Sequence, residues 1–110
     1  MILIFGGAYQ GKLDYALERF SSTQHKIIRE LDKWILELVQ TDADVAAAVQ
    51  KFIAENSEAV VICTDISCGV VPVDPVMRKW REAVGRALAV LSQKSDEVVR
   101  LFCGIPTRVK

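Results

Sequence analysis

Ile2-Leu3-Ile4-Phe5-Gly6-Gly7-Ala8-Tyr9-Gln10-Gly11-Lys12-Leu13 opens the chain after Met1, and the order of residue types in it decides the fold. Four consecutive apolar residues bounded by two glycines read as a strand buried on both faces, the kind found in parallel sheets. From Lys12 the period changes. Leu13, Ala16, Leu17 and Phe20 recur at the spacing of an amphipathic helix. The unit is therefore strand, glycine turn, helix.

The turn between them follows the pattern G-x-x-x-x-G-K and departs from it at the next position, where Ser or Thr is expected and Leu13 stands. Such a loop wraps backbone N–H groups around phosphate oxygens at a helix N-terminus, with the lysine neutralising charge. Gly6, Gly7, Ala8, Tyr9, Gln10, Gly11, Lys12 and Leu13 are accordingly the candidate nucleotide-binding residues, and Lys12 is the candidate catalytic cation. Leu13 removes the hydroxyl that normally ligates Mg²⁺, so metal binding is expected to be weak or water-mediated.

Working outward, Ser21 to Gln24 reads as a polar loop, and Lys26-Ile27-Ile28 as a short strand or the first turn of the next helix. Leu31, Trp34, Ile35 and Leu38 predict a helix to about Gln40. Thr41-x-x-Asp44 has capping-box spacing before a second helical stripe of Val45, Val49, Phe52 and Ile53. Ala59 to Cys63 predicts a second buried strand, ending in Thr64-Asp65. Residues 65–75 hold Gly69, Pro72 and Pro75 and read as a long loop of possible functional use. A long helix from about Val76 carries Met77, Trp80, Val84, Leu88 and Leu91 on one face and Arg78, Arg81, Glu82 and Arg86 on the other. Glu97 to Cys103 predicts the last strand, closed by Gly104-Ile105-Pro106. Strands alternating with helices predict an α/β layer fold around a small, mainly parallel sheet, whose exposed edges favour oligomerisation.

Composition limits the function. The chain has 110 residues, which predicts one domain over 1–110. Hydrophobic and charged fractions of 51% and 25% exclude a disordered class. Fourteen basic residues balance fourteen acidic ones without a basic run, so no nucleic-acid partner is expected. No apolar run approaches the ~20 residues of a membrane span, and the start lacks a signal-peptide pattern, so a cytoplasmic location without membrane is expected. Three cysteines and one histidine argue against a zinc site, and Cys63 and Cys103, inside apolar runs, read as core thiols.

Two further residues are candidates for chemistry. Asp65, just past a strand end where open α/β sheets bind ligands, could hold Mg²⁺ or simply form a turn. His25 is the only histidine, the side-chain type that changes charge near neutral pH, and so the only obvious histidine nucleophile or proton shuttle. A lone histidine in a polar loop is, however, usually an ordinary surface residue. Trp34 and Trp80 read as core.

With these pieces placed, the sequence resembles the adenosylcobinamide kinase / adenosylcobinamide-phosphate guanylyltransferase family of cobalamin biosynthesis. The family's opening Gly-Gly-Ala-Arg-Ser-Gly-Lys-Ser corresponds to residues 6–13. Its Thr-Asn-Glu-Val-Gly-x-Gly-Ile-Val-Pro stretch is echoed by Thr64-Asp65 and Gly69-Val70-Val71-Pro72, followed by Arg78, Trp80-Arg81-Glu82 and Gly85-Arg86. Ser95-Asp96-Glu97-Val98 and Gly104-Ile105-Pro106-Thr107-Arg108-Val109-Lys110 match the family's closing motifs. The likeness covers residues 1–20 and 59–110; a middle portion of the longer family, including the segment of the guanylylated histidine, has no counterpart there. His25-Lys26-x-x-Arg29 echoes that histidine's motif.

The resemblance implies a P-loop NTPase-like three-layer fold, GTP or ATP with Mg²⁺ as cofactors, a corrinoid substrate and a homotrimer. It implies phosphoryl transfer from GTP or ATP to the hydroxyl of adenosylcobinamide, with Lys12 as the catalytic charge, and GMP transfer through His25 as a second activity. The alternative is a non-catalytic nucleotide-binding regulatory or partner module derived from the same family.

Overall fold

The computed structural model describes residues 1–67 and 71–110. Cys68, Gly69 and Val70, including part of the Gly69-Val70-Val71-Pro72 motif, lie outside the described residues. Strand β1 (Ile2–Gly6) runs through the middle of a five-stranded sheet. It is parallel to β3 (Val60–Thr64) on one side and to β4 (Glu97–Phe102) on the other. Outside β3 lies the parallel two-residue strand β2 (Ile27–Ile28), and outside β4 the antiparallel strand β5 (Ile105–Arg108). The order is β2-β3-β1-β4-β5.

The apolar runs are continuous because β1, β3 and the start of β4 bury both faces, and alternation divides their side chains between two cores. Ile4, Val60, Ile62, Val99 and Leu101 pack against Ala16 and Phe20 of α1 (Lys12–Phe20). Leu3, Val61, Cys63 and Val98 face the other way. They meet Leu31 and Ile35 of α2 (Leu31–Gln40), Val49 of α3 (Val45–Glu55), and Val84, Leu88 and Leu91 of α4 (Pro75–Lys94). Helices thus cover both faces, and the three-layer, mainly parallel α/β architecture expected from the sequence is the one observed.

Several local expectations change. Lys26-Ile27-Ile28 resolves as strand, with the Val60 amide donating to the Lys26 carbonyl at 2.8 Å. The sheet also has a fifth strand that the sequence reading closed off as a tail. Cys103 and Gly104, at φ 52° and 75°, form a two-residue turn in the left-handed region, which folds Ile105–Arg108 back on β4. Cys103 is therefore exposed in a turn rather than buried in an apolar run, whereas Cys63 is a core thiol as expected.

The residue capping α3 is Asp44, whose carboxylate accepts from the Ala47 amide at 3.1 Å. Thr41 instead closes α2, its hydroxyl donating to the Glu37 carbonyl at 2.9 Å. Helix α4 begins one residue ahead of its apolar stripe, with Asp74 as N-cap and Pro75 in the first position, where the missing N–H costs nothing. Along α4, Arg78, Glu82 and Arg86 are exposed, while Arg81 is half-buried. Trp34 lies 5.2 Å from Phe52, and Trp80 donates its indole N–H to the Asp32 carbonyl at 2.7 Å, tying α4 to the first turn of α2.

Candidate functional site: a phosphate-binding loop

Residues 6–13 leave the carboxyl end of the central strand and enter α1, at the edge of the sheet where open α/β folds bind ligands. Gly6 is in the sheet itself; a Cβ there would lie 2.4 Å from the Leu101 carbonyl oxygen, so no other residue fits. The Gly6 carbonyl accepts from the Asp65 amide at 2.7 Å, which holds the strand end of β3 against the start of the loop. Tyr9 and Gly11 take φ of 58° and 85°, and these left-handed steps curl the backbone before the helix. Gly11 is the N-cap of α1 and offers no side chain to its amides.

The consequence is a row of unspent donors. Apart from the tight turn at Ala8-Tyr9, none of the described residues closes a backbone hydrogen bond with the amides of residues 8–13. Successive free N–H groups at a helix N-terminus make an anion-binding concavity.

Gln10 shapes this cup. Its side-chain amide donates to the Ala8 carbonyl at 3.3 Å, its side-chain oxygen accepts from the Cys103 amide, and its own carbonyl accepts from the Gly104 amide at 3.2 Å. The β4–β5 turn is thereby latched to the loop. Sequence reasoning placed Gln10 in the loop without assigning it this task, because its partners lie more than ninety residues away. Tyr9, by contrast, is fully exposed.

Lys12 is buried, with 7% of its surface exposed, and its Nζ donates to the Gly7 carbonyl at 2.5 Å across the loop. Desolvation lowers its pKa, while the nearby Asp32 carboxylate raises it and so favours the charged ammonium. Asp32 is itself buried and accepts from the Thr64 amide at 3.2 Å. No sequence signal marks it, since an acidic residue in the first turn of a helix is commonplace.

Leu13 points its side chain to the core under α1, so the position of the metal-binding hydroxyl is given over to packing. Asp65 uses Oδ1 to accept from the Ser67 amide at 2.9 Å and from the Ser67 hydroxyl, which is the turn-forming role. Among the described residues no three His, Cys, Asp or Glu side chains converge on a metal position. This donor set fits a Mg²⁺ held through water, or carried in by a nucleotide, better than one ligated by protein oxygens.

A cleft of about 300 Å³ opens beside the loop, lined by Tyr9, Gln10, Lys12, Asp14, Arg29 and Thr64 among others. His25 is not in it. It lies two residues before Ile27, which pairs with the first residue of β3, whereas Lys12 follows the last residue of β1. Five residues of strand, about 16 Å, separate the two ends of the sheet. His25 is exposed, its Nδ1 3.0 Å from the Thr23 hydroxyl and its ring edge-on to Phe20. The structure therefore does not bring the two predicted catalytic residues together.

A glycine-lysine loop joining the central parallel strand to a helix in a three-layer α/β fold defines the class of phosphate-binding-loop proteins. Within that class the family is settled by comparison: the model of the cobinamide kinase / cobinamide phosphate guanyltransferase family matches residues 25–109, and this chain belongs to that family. The match begins after α1, so the loop rests on its own geometry, and it runs through residues 25–58, which the motif-by-motif likeness had left out. No curated protein matches the chain. Membership supports a nucleotide-binding role in cobalamin biosynthesis. No helix among the described residues is long and apolar enough to cross a membrane.

Proposed function

We propose that the chain binds the phosphates of GTP or ATP in the loop of residues 6–13 and transfers the terminal phosphoryl group to the hydroxyl of adenosylcobinamide. The observation that carries this reading is the run of amides at residues 8–13 leading into α1, unspent apart from the tight turn at Ala8-Tyr9, with the Lys12 ammonium inside the same loop. In the transfer, the corrinoid hydroxyl oxygen forms a bond to the γ-phosphorus. The bond from that phosphorus to the bridging oxygen breaks, the nucleoside diphosphate leaves, and the hydroxyl proton goes to solvent. Positioning and charge stabilisation suffice for such a step. The loop amides and Lys12 supply both.

Transfer of GMP through His25 has no comparable support, because His25 stands at the amino ends of the strands and the loop at their carboxyl ends. A second reading, a nucleotide-binding module without catalysis, is favoured by one observation: Leu13 presents no oxygen to a metal. The two are separated by a pair of measurements. GTP or ATP at millimolar concentration raises the melting temperature of the wild type by several degrees and that of Lys12→Ala by much less, since a ligand bound only to the native state stabilises by mass action. Absence of a shift with either nucleotide removes both readings. Where binding is found, formation of phosphorylated cobinamide identifies the enzyme, and its absence the module.

A further inference from the structure

The cleft beside the loop contains a cation with no structural employment. Arg29 follows the last residue of β2, is exposed, and makes no hydrogen bond or ion pair with any described residue. It stands on a ridge. On one side is a hollow floored by Ile28, Leu31, Trp34 and Phe52, whose own charges, Lys51 and Glu55, pair with each other at 3.8 Å. On the other side is the loop cleft. Glu30, the next residue, is drawn off by Lys33 at 3.0 Å and leaves the guanidinium unpaired.

Charge decides what that guanidinium does. The side chains lining the cleft include two cations, Lys12 and Arg29, and two anions, Asp14 and Glu30. With Glu30 compensated by Lys33, Lys12 and Asp14 cancel and, among the described residues, Arg29 is the one lining cation left over to meet a triphosphate. Among the described residues no cluster of protein oxygens stands ready to hold a metal that would add positive charge here. Arg29 follows β2, two places across the sheet from β1 and level with Ile62, so its backbone is set back from the loop and it is the long side chain that brings it into the lining of the same cleft as Lys12. A planar guanidinium is suited to phosphate oxygens, which it can meet with two parallel hydrogen bonds.

We propose that Arg29 is a second phosphate-binding residue of this chain, closing on the terminal phosphates from the β2 side while the loop amides and Lys12 hold them from below. The assignment rests on the loop being the nucleotide site. Its test is direct binding by calorimetry of GTP, ATP and inorganic tripolyphosphate, in EDTA and with Mg²⁺, to wild type, Arg29→Ala, Arg29→Lys and the surface control Arg86→Ala. Arg29→Ala is expected to weaken all three ligands about tenfold or more, most clearly in EDTA. Arg29→Lys recovers part of the loss, and Arg86→Ala changes nothing. If wild type binds and Lys12→Ala does not, while Arg29→Ala binds like wild type, Arg29 is excluded and the loop reading survives. A loss confined to the nucleotides and absent for tripolyphosphate also overturns the assignment, since the contact would then lie elsewhere than on phosphate. Failure of wild type to bind any of the three removes the loop reading and this one with it.

Discussion

Replacing Gly6 by alanine tests the geometry on which the loop depends. The added methyl would lie 2.4 Å from the Leu101 carbonyl oxygen, against about 3.3 Å for the closest favourable carbon–oxygen contacts, so the backbones of β1 and β4 must separate by about 0.9 Å. That carbonyl belongs to the central ladder, where Gly6 pairs with Leu101 on one side and Thr64 on the other, and it cannot swing aside as a flexible side chain could. Overpacking of a well-packed interior costs about 1–3 kcal/mol, and alanine at the positive φ of 156° adds to that. A total near 3 kcal/mol is a large share of the stability of a domain this size and lowers the melting temperature by about 10–20 °C. Gly7 is the internal control: a Cβ there meets only Gln10 Cγ at 3.7 Å, an ordinary contact. Urea unfolding followed by circular dichroism measures both variants. An unfolding free energy of Gly6→Ala within about 0.5 kcal/mol of wild type, or a Gly7→Ala variant equally damaged, would refute the placement of Gly6 inside the ladder.

Two further outcomes follow from the structure. Asp44→Ala is expected to cost about 1 kcal/mol through loss of the α3 cap, while Thr41→Ala costs distinctly less, because the Thr41 hydroxyl only returns to a carbonyl of its own helix; the two urea midpoints decide. The bidentate pair of Arg19 with Glu97 holds the Glu97 carboxyl below its ordinary 4.5. A carboxylate whose folded pKa is depressed stabilises above its unfolded pKa, and that contribution is lost as pH falls through the folded value. With Arg19 more than a third exposed, the pair is worth at most about 1 kcal/mol. The stability difference between wild type and Glu97→Gln should therefore be fully present at pH 7, shrink as the pH falls below the ordinary carboxyl value of 4.5, and disappear at still lower pH; a difference independent of pH would contradict the pairing.

The parts of the fold that could be read from sequence are those where one physical demand acts alone. Ile2-Leu3-Ile4-Phe5, Ala59 to Cys63 and the start of β4 are buried on both faces, so burial writes itself as an apolar run. The loop is legible because glycine is required where a Cβ would meet a carbonyl, and because glycines and a lysine at this spacing between a strand and a helix form a recognisable pattern. Strand β5 is the opposite case. All four of its residues are exposed, and its pairing is set by a two-residue turn whose first member is Cys103, a residue with no special preference for positive φ. Strand β2 is too short to show a period. Asp32 is written like any helix-start acid, and only the packing of α2 against the end of β3 brings it beside Lys12. His25 and Lys12 stand apart for a topological reason: a polar loop that precedes a parallel strand and one that follows such a strand lie at opposite ends of the sheet, whatever their chemistry.

The same separation of demands explains the substitution at the end of the loop. The residue after Lys12 occupies the first turn of α1, where one direction faces the loop and another faces the core under the helix. A hydroxyl there serves a metal; Leu13 instead adds to the apolar contact that fastens α1 over Ile4, Val60 and Leu101. What the loop loses in metal ligation is a matter of charge, and charge can be supplied from any element that reaches the cleft. Burial lowers the pKa of Lys12 and the nearby Asp32 carboxylate partly opposes this, while Arg29 lines the same cleft from beyond the end of β2. The curvature of the loop is held by Gln10 through the β4–β5 turn and by the Lys12 bond to the Gly7 carbonyl, and does not involve Arg29. The departure at Leu13 thus changes what the first turn of α1 offers to a metal and leaves untouched the contacts of Gln10 and Lys12 that curl the loop.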